Sequence, residues 1–207
     1  AEVAVIAESA WPQSASLADA AGRVVLLPDA LFQTVSGLES PARMGFVVPL
    51  PDAPDIDPQA PTVVLDRLQD AGNVGAILRC ASAFGFRQVI AMKGTAALWS
   101  PKVLRAGMGA HFALRLIESA TPALLDALAV PILGTSSHQG ELLHRARLPW
   151  PCAWAMGHEG QGVGPEVQAR AALAVRVIQP GGEESLNVAT AAAICLHASA
   201  AAADGPG

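Results

Sequence analysis

The fold is decided by residues 62–92, which read TVVLDRLQDAGNVGAILRCASAFGFRQVIAM. The apolar runs at 62–66 and 88–92 each predict a short buried strand. The segment between them predicts a helix over 73–84, ended by Gly85 because glycine readily closes a helix. Two apolar strands joined by a helix are typical of a parallel sheet covered on both faces, so we predict an α/β fold.

The same alternation continues toward the C-terminus. Strands are predicted at 130–135, 152–156 and 174–178, and helices over 122–129 and 186–202. In open α/β sheets, ligands bind beyond the carboxyl ends of the strands. The functional residues are therefore expected in the segments that follow the predicted strands.

A proline-rich segment separates this pattern from the N-terminal part of the chain. Residues 49–61 contain five prolines and three aspartates, a composition that excludes a continuous helix or a strand ladder. We predict a linker at 51–61 between an N-terminal domain over 1–50 and a larger domain over 62–207. Strands in the first domain are predicted at 3–6, 23–27 and 45–48, with a helix beginning at Pro28.

Acidic and basic residues are distributed unevenly along the chain. The net charge is −5, yet residues 71–117 hold six bases and no acid. The flanking segments carry net charges of −7 over 1–70 and −4 over 118–207. A stretch of this length without a carboxylate is suited to a polyanion, although bases scattered over a solvated face would give the same count. Eleven of the thirteen bases are arginines, which bind phosphate in a bidentate way.

The composition excludes several classes of protein. Hydrophobic residues make up 52% and charged residues 15%, which excludes a disordered chain. No apolar run reaches the roughly 18 residues of a membrane span, and the start of the sequence predicts no signal peptide. The three cysteines lie far apart and form neither a disulfide framework nor a zinc site, so we expect the reducing environment of the cytoplasm.

The first motif follows the strand at 62–66 and contains Asn73 and Arg79. Asn73 is placed to cap the helix that follows. Arg79 lies six residues further on among alanine, isoleucine and leucine, so its charge requires an anionic partner or access to solvent. Taken alone, this motif is equally consistent with an arginine that reaches solvent from the flank of a helix.

The second motif covers residues 156–166, which read MGHEGQGVGPE. This pattern is neither a dinucleotide-binding fingerprint nor a P-loop. Its four glycines allow the backbone to approach a ligand closely, whereas Glu159 adds nothing to turn formation, which favours a functional role for it. His158 and Glu159 lack a third ligand at zinc spacing, so no metal site is predicted.

The third motif covers residues 177–189, which read VIQPGGEESLNVA. Ser185 or Asn187 can cap the last helix, which is a sufficient structural explanation for both. The pair also places two polar side chains at a helix N-terminus, an environment that favours anionic or electron-rich groups.

Together these motifs resemble those of the SpoU (TrmH-like) family of RNA ribose 2′-O-methyltransferases in the SPOUT superfamily. The family pattern Asn-x-Gly-Ala-x-x-Arg is matched at 73–79, Gly-x-Glu-Gly-x-Gly at 157–162, and Gly-x-x-x-Ser-Leu-Asn-Val at 181–188. The resemblance extends over residues 62–202 in the order and spacing of the family. Residues 1–50 resemble, more loosely, the closing part of the ribosomal-protein-like RNA-binding domain that precedes the catalytic domain in many members.

The resemblance implies a parallel-sheet SPOUT domain with a C-terminal trefoil knot, a homodimer, and S-adenosylmethionine as the cofactor. Backbone groups of Gly157, Val177, Ile178 and Leu186 would hold this cofactor, with Thr135 nearby. The family reaction is methyl transfer to a ribose 2′-hydroxyl, here in ribosomal RNA rather than transfer RNA because of the N-terminal resemblance. No membrane or metal partner is implied.

The resemblance also implies roles for the polar residues of the motifs. Arginine stays protonated in proteins, so we expect Arg79 to bind the target phosphate and stabilise the developing alkoxide rather than to act as a base. The residues expected to orient the hydroxyl and Arg79 are Asn73, Glu159, Ser185 and Asn187. The residues expected to bind the RNA backbone, partly across the dimer, are Arg87, Lys102 and Arg105.

Three alternatives remain open at this point. The chain departs from the family pattern at His158 and Gln179, which leaves room for a knotted protein that binds RNA or cofactor with little turnover. A transfer RNA 2′-O-methyltransferase is the second alternative. A hydrolase that uses Ser136, Ser137 and His138 is the third, but the segment 134–138 is not a nucleophile elbow.

Overall fold

The computed structural model describes residues 1–36, 42–136, 140–181 and 186–204. The chain divides into two compact units, Ala1–Asp52 and Ala53–Gly207. Within the described ranges, no helix has both the length and the apolar character that a bilayer crossing requires.

The first unit is a three-stranded sheet with two helices. Its elements are β1 (Val3–Ala7), α1 (Trp11–Ala18), β2 (Arg23–Leu27), α2 (Asp29–Ser36) and β3 (Met44–Val47). The central strand β1 pairs in parallel with β2 and antiparallel with β3. The three predicted strands are confirmed, and α1 is an element that the sequence pattern did not predict.

The second unit is built on seven strands. They are β4 (Thr62–Asp66), β5 (Gln88–Met92), β6 (Arg115–Ala120), β7 (Ile132–Thr135), β8 (Glu141–Leu142), β9 (Ala153–Gly157) and β10 (Ala171–Arg176). Their order is β6-β5-β4-β9-β7-β10-β8, and every neighbouring pair is parallel. The predicted parallel α/β sheet is confirmed, with β6 and β8 as strands that the prediction missed.

Helices cover this sheet. They are α3 (Ala71–Ala83), α4 (Pro101–Gly107), α5 (Pro165–Gln168) and α6 (Val188–Asp204), and 3-10 turns form at Ala110–Ala113 and Pro122–Ala127. The α-helix predicted at 122–129 is therefore wrong in type, because the structure has a 3-10 helix there. Strands β4, β5 and β9 are buried along their whole length, which explains their continuous apolar sequences.

The largest buried side chain belongs to Trp154 in β9. Its indole Nε1 donates a hydrogen bond of 2.9 Å to Ser199 Oγ on α6, so the polar end of the ring is satisfied inside the core. This contact fixes the last helix against the sheet, and with it the segment that enters α6 at Asn187.

The start of α3 differs from the prediction. The capping residue is Asp70, whose Oδ1 accepts a hydrogen bond of 2.7 Å from the backbone N–H of Asn73. Asn73 itself lies in the first turn of the helix, so its side chain is released from capping and is available for other contacts.

Candidate active site

The three motifs meet at one edge of the seven-stranded sheet. The first follows β4, the second follows β9 and the third follows β10, and these parallel strands all end at the same edge. Strands β4 and β9 are neighbours in the sheet, although their paired residues, from Thr62↔Ala153 to Asp66↔Gly157, are 91 positions apart in the sequence. A change in the direction of strand order at this place is where open α/β sheets bind ligands.

Glu159 joins the second motif to the first. Its Oε1 accepts hydrogen bonds from the backbone N–H of Asp70 at 3.3 Å and from Asn73 Nδ2 at 3.2 Å. Its Oε2 accepts a longer one, of 3.5 Å, from the backbone N–H of Gln69. The carboxylate therefore occupies the N-terminal end of α3, where the helix dipole also favours a negative charge.

These contacts alter the acidity of Glu159. Partial desolvation raises its pKa, but the hydrogen bonds to its own backbone, Asn73, Asp70 and Gln69 outweigh that effect and leave the pKa below the ordinary value. The side chain is thus an ionised acceptor, already engaged, and it is poorly suited to take a proton from a substrate hydroxyl near neutral pH.

Asn187 joins the third motif to the same network. Its Nδ2 donates a hydrogen bond of 3.0 Å to Asn73 Oδ1. Its Oδ1 accepts from the backbone N–H groups of Ala189 at 2.9 Å and Thr190 at 3.2 Å, which makes Asn187 the cap of α6. Of the two predicted capping residues, Asn187 is confirmed, while Ser185 lies outside the described residues.

A second connection holds the glycine-rich loop from the other side. The buried carboxylate of Asp66 accepts hydrogen bonds from the Arg67 guanidinium, at 3.0 Å from Nε, and from the backbone N–H of Gly164 at 2.5 Å. Arg67 Nη1 donates to Gln161 Oε1 at 3.1 Å. The loop is therefore held both at Glu159 and at Gln161–Gly164.

Arg67 adopts a backbone conformation that residues with a side chain rarely occupy. Its φ is +61°, in the left-handed region. Its backbone N–H donates to Thr95 Oγ1 at 3.0 Å, and Thr95 Oγ1 donates in turn to the Leu65 carbonyl at 2.9 Å. These bonds and the ion pair with Asp66 compensate for the strain, which turns the chain sharply as it leaves β4.

The glycine-rich loop and the entry to α6 enclose a cavity of about 960 Å³. The predicted cofactor residues Thr135, Gly157, Val177 and Leu186 line it, as do Glu159 and Asn187. Ile178 does not line it. Ile178 lies instead on a separate apolar cavity of about 530 Å³, together with Phe84, Ile194 and His197.

Two features of the cavity wall bear on ligand binding. Gly157 passes so close to the loop that an added Cβ would lie 2.1 Å from the backbone atoms Gly162 C and Val163 N. Gln179 Oε1 is buried and has no hydrogen-bond partner among the residues that the structure describes. A buried acceptor of this kind requires a donor, which a polar ligand can supply.

His158 also lines this cavity. Its Nδ1 accepts a hydrogen bond of 3.0 Å from the backbone N–H of Gly160, so the neutral ring carries its proton on Nε2. His158 therefore contributes a hydrogen-bond donor, its Nε2–H, to the residues that line the cavity.

Arg79 lies apart from the network of Glu159, Asn73 and Asn187. It is on the same helix as Asn73, but six residues correspond to about 9 Å along the axis and about 120° around it. Its side chain is exposed, and no carboxylate in the described part of the chain pairs with it. The guanidinium therefore reaches solvent, one of the two outcomes that the sequence allowed, and remains accessible to an anion.

The predicted RNA-binding residues are not all on the same edge of the sheet. Lys102 and Arg105 are exposed on α4. Arg87 is exposed too, but it immediately precedes β5, at the amino edge of the sheet, whereas the cavity lies at the carboxyl edge. The structure thus groups Lys102 and Arg105 on one helix and separates Arg87 from the cavity.

Asp66, Arg67, Asp70 and Gln161 were missed as site residues by the sequence prediction. A usable indication was present for one of them: Asp66 follows a fully apolar strand directly, at the position where α/β proteins place functional groups. The other three also make contacts across long sequence separations, of 94 positions between Arg67 and Gln161 and 89 between Asp70 and Glu159.

Comparison with known proteins gives consistent results. A sequence model described as "SpoU rRNA Methylase family" matches residues 60–197. The chain is 30% identical to the 23S rRNA (guanosine(2553)-2'-O)-methyltransferase RlmP of Bacillus subtilis, over 83% of this chain and 70% of the relative. It is 33% identical to the 23S rRNA (guanosine-2'-O-)-methyltransferase RlmB of Bordetella pertussis, over 70% of this chain and 60% of the relative. It thus spans less than two thirds of that second protein.

Solved structures show the same fold. A TrmH-family protein from Porphyromonas gingivalis superposes with a TM-score of 0.82 at 32% identity, covering 96% of this chain and 81% of that one. An AdoMet-bound rRNA methyltransferase from Sinorhizobium meliloti superposes with a TM-score of 0.79 at 27% identity, covering 96% of this chain and 78% of that one.

Proposed function

Because the chain belongs to the SpoU rRNA methylase family, we propose that it transfers a methyl group from S-adenosylmethionine to a ribose 2′-hydroxyl of ribosomal RNA. The observation that carries this proposal is the cavity of about 960 Å³ at the carboxyl edge of the sheet, to which the second and third motifs contribute. The relatives from Bacillus subtilis and Bordetella pertussis are named as 23S rRNA guanosine 2′-O-methyltransferases, which supports ribosomal RNA as the substrate.

The cavity residues fit the proposed cofactor. Its size matches the 300–1,000 Å³ that is typical of pockets for small molecules and cofactors, on the order of one such ligand. The backbone of Gly157, Val177 and Leu186 would hold it, with Thr135 nearby, and the buried Gln179 Oε1 would accept a hydrogen bond from one of its donors. Ile178, whose side chain lies on the other cavity, would contribute through its backbone.

The cofactor supplies an electrophilic methyl group bound to a sulfonium sulfur. As the ribose oxygen bonds to the methyl carbon, the carbon–sulfur bond would break, the thioether would leave, and the hydroxyl proton would pass to solvent water. Glu159 is poorly suited to take that proton because its hydrogen bonds at the start of α3 keep its pKa below the ordinary value. We assign Glu159, Asn73 and Asn187 to positioning the loop and the helix ends around the hydroxyl. Ser185 belongs to the same proposal on the resemblance alone.

Arg79 is assigned to the substrate phosphate and to the alkoxide charge. It is exposed, carries a permanent charge and has no protein carboxylate as a partner within the described ranges. A preorganised cation that faces developing negative charge lowers the barrier without any proton transfer of its own. Arg105 and Lys102 on the neighbouring helix α4 would bind adjacent phosphates, and Arg87 a more distant part of the RNA.

Further parts of the proposal rest on the family resemblance. We propose that the C-terminal part of the second unit forms a trefoil knot, that two copies form a homodimer, and that the protein acts in the cytoplasm. The first unit would be part of a ribosomal-protein-like domain that binds the same RNA.

Two measurements on the full chain test the function. Calorimetric titration with S-adenosylmethionine is expected to show one site for each chain. Single-turnover transfer of a labelled methyl group to 23S ribosomal RNA, with transfer RNA as the comparison, is expected to label the ribosomal RNA at a ribose 2′-oxygen. Cofactor binding without any transfer would instead identify a binding protein, and preferential labelling of transfer RNA would overturn the substrate assignment.

A further inference from the structure

Met108 and Phe112 are exposed to an unusual degree. They are 73% and 81% accessible to solvent, the two highest values for large hydrophobic side chains among the described residues. They lie four residues apart, at the end of α4 and in the 3-10 turn that follows it. Apolar side chains of this size gain hydrophobic stabilisation when they are removed from water, so a partner that covers them would bind more tightly.

The surrounding structure holds both side chains outward. His111, next to Phe112, is buried: it packs against Trp99 with ring centroids 5.2 Å apart, and its Nε2 lies 2.8 Å from the Leu98 carbonyl oxygen. Successive residues of a 3-10 turn point about 120° apart, so an inward His111 directs Phe112 toward solvent.

Met108 is fixed by its backbone. Its φ is +48°, in the left-handed region, and Gly109 follows with a φ of +88°. A left-handed conformation is strained for a non-glycine residue, so this turn is maintained by the packing around it. That packing includes Gly107, where an added Cβ would lie 2.6 Å from His111 Cε1.

The segment of chain that carries these two side chains is basic. Lys102 and Arg105 are exposed on α4, and the whole segment 71–117 contains six bases and no acid. Proteins that bind single-stranded nucleic acid combine exposed aromatic side chains with basic residues. Nucleobases stack on the aromatic rings, and the basic side chains bind the phosphates.

This surface adjoins α3, the helix that carries Asn73 and Arg79. Helix α4 packs on α3 so closely that a Cβ at Gly75 would lie 2.4 Å from Ala106 Cβ. Gly75 is two residues from Asn73, and Ala106 is next to Arg105. A nucleotide bound by α4 would therefore lie beside the helix that carries Asn73 and Arg79.

We propose that Met108 and Phe112 form a stacking surface for an unpaired base of the RNA substrate, with Lys102 and Arg105 on the adjoining phosphates. This inference rests on the proposed function and adds a contact that would select single-stranded RNA next to the target ribose. A second copy of the chain is the less suitable partner for this surface. Lys102 and Arg105 beside it match the phosphates of RNA, which a second copy of the chain does not offer.

The test compares Phe112→Leu with Phe112→Trp in the full chain. The probe is a fluorescein-labelled single-stranded 12-nucleotide RNA, with the same sequence as a duplex for comparison, and the readout is fluorescence anisotropy. We expect Phe112→Leu to weaken single-strand binding by about 5- to 150-fold, because stacking needs an aromatic face. Phe112→Trp keeps an aromatic face and should bind as tightly as wild type. The matched control is Leu124→Ala, a partly exposed side chain outside this surface, which should leave the affinity unchanged.

Salt dependence separates stacking from charge. Phe112→Leu should leave the slope of log affinity against log salt unchanged, whereas Lys102→Ala should reduce it by about 0.7 for a single strand. Thermal melting of each variant verifies that it is folded.

Several results would overturn the inference. It fails if the wild-type protein does not bind the single strand, or if Phe112→Leu binds it as tightly as wild type. It also fails if Phe112→Leu converts a dimer to a monomer in sedimentation, because the surface would then be an interface between copies. If methyl transfer is absent but Phe112→Leu still loses RNA affinity, the stacking surface stands and the proposed function falls.

Discussion

Asn187 Nδ2 and Asn73 Oδ1 form a hydrogen bond of 3.0 Å between residues that are 114 positions apart in the sequence. Asn73 Nδ2 donates in turn to Glu159, and Asn187 Oδ1 caps α6. Each amide therefore has its oxygen and nitrogen assigned by its partners. One connected set of hydrogen bonds holds the three motifs together. A substitution of Asn73, Glu159 or Asn187 is therefore expected to displace the other two side chains.

The two roles of Asn187 can be separated by substitution. Asn187→Asp keeps an oxygen that can cap α6, where a negative charge is favoured, but it cannot donate to Asn73. We expect its melting temperature to stay near that of wild type while methyl transfer falls. Asn187→Ala loses the cap as well and should be destabilised by about 1 kcal/mol. Thermal melting measures the stability of both variants, and single-turnover assays measure their methyl transfer. Full activity in Asn187→Asp would contradict the positioning role.

Gly157 is expected to tolerate no side chain. The Cβ of Gly157→Ala would meet loop backbone at 2.1 Å, so the loop must move at a cost of about 1–3 kcal/mol, and cofactor binding should be lost. Gly160→Ala is the matched control, since its Cβ would meet only the His158 ring at 3.8 Å. Calorimetry with S-adenosylmethionine compares the two, and equal binding by both variants would show that the loop does not shape the cofactor site.

Glu159 should make stability depend on acid pH. Its pKa is lower in the folded protein than the ordinary value of 4.5, so its contribution is complete above pH 4.5 and is lost as the pH falls through the lower folded pKa. Glu159→Gln should therefore melt below wild type near neutral pH, with the difference shrinking in acid. Melting curves from about pH 7 to pH 3 test this. Glu141→Gln, at an exposed carboxylate, is the control; a difference independent of pH would argue against the assignment.

Arg79 should affect transfer without affecting the fold or the cofactor. Arg79→Ala removes an exposed cation that does not line the cavity, so we expect unchanged melting and unchanged cofactor affinity. Methyl transfer should fall by about 10²- to 10³-fold, the loss typical when one group that stabilises transition-state charge is removed. Arg145→Ala removes another exposed arginine as a control. Near-native turnover in Arg79→Ala would exclude the assigned role.

The sequence by itself predicted a parallel α/β sheet, five of the seven strands that the structure describes in it, and the family. Strands such as β4 and β9 are buried on both faces, so their apolar runs are continuous and visible without any structure. Strand β6 was missed because it is the edge strand, where Glu118 and Ser119 interrupt the apolar pattern. The motifs were recognisable because close backbone approach and polar side chains require particular residues at particular spacings.

Only the tertiary structure determined which of the motif residues contact one another. Asp70 and Asn73 are both good capping residues, and the turn after β4 selects Asp70, which releases Asn73 to bond Glu159 and Asn187. Likewise, Arg79 is separated from Asn73 by the geometry of their shared helix. Local sequence sets local conformation through short-range sterics and burial. The hydrogen bonds of Asn73 with Glu159 and Asn187 join residues 86 and 114 positions apart, so they exist only once the strands are paired.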